Sequence, residues 1–215
     1  MALVVFLRGV NVGGHRVFRP AAFARQLAHL GAVNIGAAGT FVIRSPAGRA
    51  ALRAELVRRL PFDTAIVICT AREVARLMSR HAFGRRPARP GIVRFVSVLL
   101  RRPRLAPRLP ASFPPRGQWL LQVLARDDRF LIGQYRRRAE TIRHFGVLDQ
   151  ICGVPVTTRT WHTMTAVAEA LEVGGTAKDG MKAPSDEPSP QSPARAKKTG
   201  TRRNPPLACK PDRSV

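Results

Sequence analysis

Short apolar runs of strand length alternate with segments of helical period over the first 70 residues, and few folds accommodate the order in which they come. Ala2 to Leu7 is a continuous apolar run, followed by a glycine-rich loop through Gly14. Phe23, Leu27 and Leu30 then recur at i, i+4 and i+7, with Arg25, Gln26 and His29 on the polar side. That spacing predicts an amphipathic helix stopped at Gly31. Val33 to Ala37 and Thr40 to Arg44, parted by Ala38 and Gly39, read as a hairpin. Ser45 before Pro46 offers an N-cap and a first-turn proline for a helix reaching Leu60, whose buried stripe is Leu52, Leu56 and Leu60. Ala65 to Cys69 closes the series as a buried strand.

The order β-α-β-β-α-β resembles that of a ferredoxin-like module, a four-stranded antiparallel sheet with both helices on one face. Thr70 with Glu73 three residues on forms a capping box for a further helix to Arg80. Ile92 to Leu100 reads as a strand and Arg101 to Gly117 as a proline-rich connection. Trp119 to Ala125 and Phe130 to Gln134 make a hairpin around Asp127 and Asp128, and a helix follows over Ala139 to Gln150. Met164, Val167, Ala168 and Leu171 mark a last amphipathic helix. The fold class expected is therefore α+β, with two ferredoxin-like subdomains. The first, over residues 1–90, is complete, and the second, over residues 91–171, is abbreviated to β-connection-β-β-α. From Glu172 to Val215 the hydrophobic period stops and Gly, Pro, Ser and Lys take over, so this stretch is expected to be a disordered basic tail.

Charge bounds the partners. The chain carries 37 Lys plus Arg against 13 Asp plus Glu, a net +24 over 215 residues. Met1 to Leu171 holds 28 Arg, no Lys and 8 acids, so the body carries the charge rather than the tail. Arginine to the exclusion of lysine also fits the codon usage of a GC-rich bacterial genome, which makes net charge better evidence than residue choice. Cys69, Cys152 and Cys209 fall at no metal-ligand spacing and are odd in number, which argues against a disulfide framework and fits a reducing cytoplasm. No apolar run near the start approaches the ~20 residues of a membrane helix.

Two features carry chemistry. The loop Leu7 to Arg16, LRGVNVGGHR, leaves a strand with three glycines and sets Arg8, His15 and Arg16 beside Gly13 and Gly14. Its backbone amides and arginines suit a small anion, although it is neither a P-loop nor a dinucleotide fingerprint, and a tight structural turn is the plainer alternative. The second feature is arginine density: Arg72 to Arg116 holds twelve Arg and one acid. Arg72, Arg76 and Arg80 stack at i, i+4 and i+8 on one helix face, a small repulsion that a polyanion would relieve. Arg85, Arg86, Arg89, Arg101, Arg102, Arg104 and Arg108 extend the array in loops. Together they form a candidate contact for a DNA or RNA backbone. Phe6 and Phe41 are expected in the core rather than as base-stacking groups. Catalytic and metal signatures are absent: the five histidines make no ligand pair, and no cofactor is expected.

The opening Leu-Arg-Gly-Val-Asn-Val-Gly-Gly, the Gly31-Ala-Val-Asn-Ile after the first helix and the closing Thr157-Thr-Arg159-Thr-Trp161-His-Thr163 resemble the bacterial family catalogued as domain of unknown function 1697. The resemblance spans roughly residues 3 to 171 and implies two α+β subdomains, the first ferredoxin-like. It implies no activity, since the family has none established. This chain departs from the family where Tyr-Ile-Gln-Ser-Gly-Asn gives way to Gly36-Ala37-Ala38-Gly39-Thr40. Both terminal motifs contain an arginine, so Arg8 and Arg159, with Trp161 beside the latter, join the candidate ligand-binding residues.

Three functional readings follow. The leading one is a weakly specific nucleic-acid-binding protein using the Arg72 to Arg108 array. The alternative is a small-anion or phosphate-binding protein or enzyme using the Gly9 to Gly14 loop with Arg8, His15, Arg16 and Arg159. The third is a structural protein with a solvated basic face.

Overall fold

A computed structural model describes residues 1–11, 18–80, 82–83, 89–103 and 108–173. They form a mixed α+β fold with two antiparallel sheets and several helices. The first sheet takes β1 (Leu3–Leu7), β2 (Ala32–Asn34), β3 (Thr40–Ile43) and β4 (Ile66–Thr70) in the order β2-β3-β1-β4. Helix α1 (Pro20–Gln26) links β1 to β2, and α2 (Arg49–Arg59) links β3 to β4. Side chains alternate across the sheet. Leu3, Val5 and Leu7 join Phe41, Ile43, Ile66 and Ile68 in one core with Phe23 of α1 and Leu52 and Leu56 of α2. Val4, Phe6, Val42, Val67 and Cys69 point the other way. Burial on both faces explains why β1 and β4 read as unbroken apolar runs.

That second face belongs to a shared layer. It packs with Val74 and Leu77 of α3 (Ala71–Ser79), with Met164 and Val167 of α6 (Trp161–Glu172), and with Val96, Val98, Phe130 and Ile132 of the second sheet. The second sheet runs β6-β7-β8-β5-β9, from β5 (Ile92–Leu99), β6 (Ala111–Phe113), β7 (Leu121–Asp127), β8 (Phe130–Arg136) and β9 (Val156–Thr160). Its far face, with Phe95, Leu99, Leu121 and Leu131, buries Leu148 and Cys152 of α5 (Gly146–Cys152).

Several local expectations need correction. Helix α2 begins three residues after Pro46, behind Gly48, and Ser45 N–H donates to the Leu30 carbonyl instead of opening the helix. The single helix over 139–150 is two, α4 (Thr141–His144) and α5. Strand β6 lies inside the proline-rich connection, and β9 was read as no element at all, so the described residues of the second half form five strands rather than three. The capping box at the start of α3 is present in both directions, Thr70 Oγ1 accepting from Glu73 N–H while Glu73 accepts from Thr70 N–H. Phe6 and Phe41 are both fully buried. The stretch from residue 174, most of the expected tail, lies outside the described residues. Among the described residues no helix is long and apolar enough to cross a membrane.

Candidate functional site

Arg159 stands on β9 with only 6% of its surface exposed, and every donor edge of its guanidinium is taken. Nε donates to Thr40 Oγ1 at 2.6 Å. Nη1 donates to Thr157 Oγ1 at 2.9 Å and to the Thr158 carbonyl at 2.8 Å. Nη2 donates to the carbonyls of Leu7 at 2.7 Å, Ala38 at 2.6 Å and Gly39 at 3.3 Å. One side chain thus joins the end of β1, the β2–β3 turn and β9. The turn depends on Gly39, whose φ is +69° and where a Cβ would press to 3.0 Å from Leu7 Cβ. All six acceptors are neutral. Burial pushes the Arg159 pKa down to about 10, and no carboxylate is among its partners.

Arg8 follows β1 directly. Its Nε donates to the Val156 carbonyl at 3.1 Å and its Nη2 pairs with Asp149 Oδ2. Asp149 Oδ1 in turn accepts from Val156 N–H at 2.8 Å, so Arg8 and Asp149 grip the first residue of β9 from both sides. Thr64 Oγ1 donates to the Arg8 carbonyl at 2.5 Å and steadies the same corner. Asn11, at φ +55°, ties residue 11 to residue 18: its Nδ2 donates to Phe18 O at 3.0 Å and Ala37 O at 2.8 Å, and its Oδ1 accepts from Phe18 N–H. Sequence reasoning passed over Asn11 and Asp149. The tolerance of asparagine for left-handed backbone was the signal available for the former.

Arg8 and Arg159 line one cavity of about 860 Å³, within the range of small-molecule sites. Thr157, Thr158 and Tyr135 add hydroxyls to its wall, and Asp63 and Asp149 add carboxylates. Its apolar side is an aromatic cluster, with Phe95, Tyr135 and Phe145 ring centres 5.2 to 6.1 Å apart. Burial pushes the Tyr135 phenol up, which keeps it a hydrogen-bond donor at neutral pH. Phe95 lies across β8 at Gly133, the only residue type that leaves room there, since a Cβ would overlap both the Phe95 ring and the Gln122 carbonyl. Trp161 is not at this cavity's wall; it opens α6 and stacks edge-on against Phe83 at 5.0 Å. Gly13, Gly14, His15 and Arg16 lie outside the described residues.

The arginine array is distributed differently from its sequence reading. Arg76 pairs with Asp128 at 3.3 Å and Arg80 with Asp127 at 3.2 Å, while Arg102 reaches Asp128 at 2.9 Å. The β7–β8 turn therefore supplies counter-charges to the helix stripe, and the repulsion expected along α3 is relieved from within. Arg72, Arg89, Arg101 and Arg108 are exposed, with no carboxylate partner among the described residues. Arg85, Arg86 and Arg104 lie outside them. Cys69 is fully buried in β4, and burial pushes its thiol up to about 12. Among the described residues no three His, Cys, Asp or Glu side chains gather as metal ligands.

These features define a basic-surfaced α+β protein with several Arg–Asp ion pairs and a polar-floored cavity. The chain belongs to the family described as "Protein of unknown function (DUF1697)", which matches residues 1–110. Among solved structures, the conserved bacterial protein SP0830 from Streptococcus pneumoniae is similar, at 14% identity and a TM-score of 0.49, over 79% of this chain and 98% of that one. No curated protein matches.

Proposed function

We propose that the chain binds a small organic anion with an aromatic or apolar body in the Arg8–Arg159 cavity. The observation that carries this reading is that two guanidiniums, Arg8 and the buried Arg159, line one cavity, with Arg159 bonded to neutral oxygens. Asp149 is paired with Arg8, while the hydrogen bonds of Arg159 among the described residues all go to neutral acceptors. An anion about 5 Å away gains about 3 kcal/mol at an effective dielectric near 20. Arg159 acts through its field, since its donors are occupied. Direct contacts fall to Arg8, whose Nη1 makes no hydrogen bond among the described residues, and to the Thr and Tyr hydroxyls. The ring cluster of Phe95, Tyr135 and Phe145 takes the apolar body. Gly13, Gly14, His15 and Arg16, which lie outside the described residues, stay among the proposed ligand-binding residues on their sequence motif with Arg8.

Titration with an aromatic sulfonate such as anilinonaphthalene sulfonate tests the reading. Arg8→Gln is expected to weaken binding about tenfold or more, as loss of a charge-assisted hydrogen bond does. Arg101→Gln, which removes the same charge from the surface, is expected to change it less than twofold. Equal effects of the two would refute the site.

A second reading is a weakly specific nucleic-acid-binding protein, favoured by the exposed Arg72, Arg89, Arg101 and Arg108, which meet no carboxylate among the described residues. A gel shift against salt concentration tests it. Two finer readings of the fold accompany these. The order β4-β1-β3-β2, with α1 and α2 in one core, supports a ferredoxin-like first module over residues 1–90. That each sheet draws its strands from one half supports a second module over residues 91–171.

A further inference from the structure

A second group of exposed arginines, sharing only Arg89 with the predicted array, lies at one end of the second sheet. The start of β5, the end of β8 and the β6–β7 connection meet there. Arg137 N–H donates to the Gly91 carbonyl at 2.8 Å and Ile92 N–H to the Arg89 carbonyl at 3.0 Å, which sets Arg89 beside the run Arg136 to Arg138. Arg136 N–H donates to the Leu120 carbonyl at 2.8 Å and its Nε to the Trp119 carbonyl at 3.0 Å, which brings the loop carrying Arg116 to the same end. Arg89, Arg116, Arg137 and Arg138 are all exposed and meet no carboxylate among the described residues. In their midst sits Trp119, half-buried, with the Arg136 guanidinium 4.5 Å from its ring centre.

We infer that this end of the sheet is a docking surface for single-stranded nucleic acid. The inference rests on the second reading above and gives it a place. Four cations set around one sheet end match successive backbone phosphates, whereas Arg76, Arg80 and Arg102 are already held by Asp127 and Asp128. An indole held in place by a stacked guanidinium is a platform for an unpaired base, which a duplex keeps stacked inside. The arginines attract any polyanion; the tryptophan selects a strand whose bases are free.

Fluorescence anisotropy with a labelled oligothymidylate of about twelve nucleotides tests this, within the site sizes such surfaces use. The full chain is compared with Arg89→Gln/Arg137→Gln/Arg138→Gln and with a control of equal charge, Arg72→Gln/Arg101→Gln/Arg108→Gln. The first triple is expected to lower the slope of log affinity against log salt by about 2, at about 0.7 per phosphate contact, and the control by less than half of that. The chain has two tryptophans, so in a Trp161→Phe background Trp119 emission is expected to be quenched by the oligonucleotide. No binding by the parent chain at low salt would overturn the nucleic-acid reading itself. Equal loss in both triples would overturn only this placement. Unquenched Trp119, or a duplex of the same length bound as tightly, would overturn the preference for a single strand.

Discussion

Replacing Arg159 with methionine removes the guanidinium while keeping much of its volume, and the structure sets the size of the result. Leu7 O keeps a donor in Thr157 Oγ1 and Gly39 O keeps one in Leu7 N–H. The Ala38 carbonyl, the Thr158 carbonyl and the Thr40 hydroxyl lose the contacts that Arg159 makes. Each buried acceptor so deprived costs about 1 to 3 kcal/mol. Against this stands relief from burying a charge. The pKa of Arg159 falls from 12.5 to about 10 on burial, which at about 1.4 kcal/mol per pH unit is on the order of 3 kcal/mol. With the folded pKa below the unfolded one, that cost is carried in full at neutral pH and lessens only as pH rises through about 10. Three such acceptors together outweigh that relief by roughly 0 to 6 kcal/mol, so the net expectation is a loss of about 3 kcal/mol at the middle of that range, read by urea denaturation, and a fall in Tm of roughly 5 to 15 °C. Arg159→Lys keeps the charge but lacks the planar fork, and is expected to recover less than half of the loss. If Arg159→Met is more stable than the parent, the six contacts do not hold β9 to the first sheet and the reasoning fails.

Gly133→Ala is expected to cost about 2 to 3 kcal/mol in denaturant, because its methyl group meets backbone at Gln122 and the ring of Phe95; the same change should weaken ligand binding by displacing a cavity wall. Burial pulls the Glu73 carboxyl up, but the Thr70 bonds with Arg129 and Arg49 outweigh it and hold it below its usual value. Its cap therefore stabilises the fold above the unfolded value of 4.5 and is lost as pH falls through the lower folded value. Glu73→Gln should cost about 1 kcal/mol at pH 7 and flatten stability across that acid range. Asp128→Asn keeps a residue tolerant of the observed φ of +51° and loses only exposed ion pairs, so it should cost under about 1 kcal/mol and make stability less sensitive to salt. Cys69 and Cys152 are buried with thiols pushed up by burial, so a thiol reagent at pH 8 should label them only after denaturant is added.

What the chain could say of itself was local. The alternation of apolar runs and helical periods from Ala2 to Cys69 laid out the β-α-β-β-α-β order, and Thr70 with Glu73 marked the start of α3, because strand pleat, helix period and capping each act within a few residues. The family was legible for the same reason in the opening motif, a contiguous stretch that falls within the matched residues 1–110. Strand β9 was not, because Thr157, Arg159 and Thr160 break its apolar pattern. The polar groups of Thr157 and Arg159 find partners once Leu7, Ala38 and Thr40 arrive from over a hundred residues away. The arginine stripe on α3 likewise read as an unmet charge until the β7–β8 turn brought Asp127 and Asp128 to it. Hydrogen bonds and ion pairs are satisfied by whatever the fold delivers within about 3 Å, and sequence distance carries no record of that delivery. Arg8 and Arg159 were visible as arginines in distinctive motifs, but only the tertiary structure brought the end of β1 to β9 and set both on one cavity, Arg8 paired with Asp149 and Arg159 bonded to neutral oxygens.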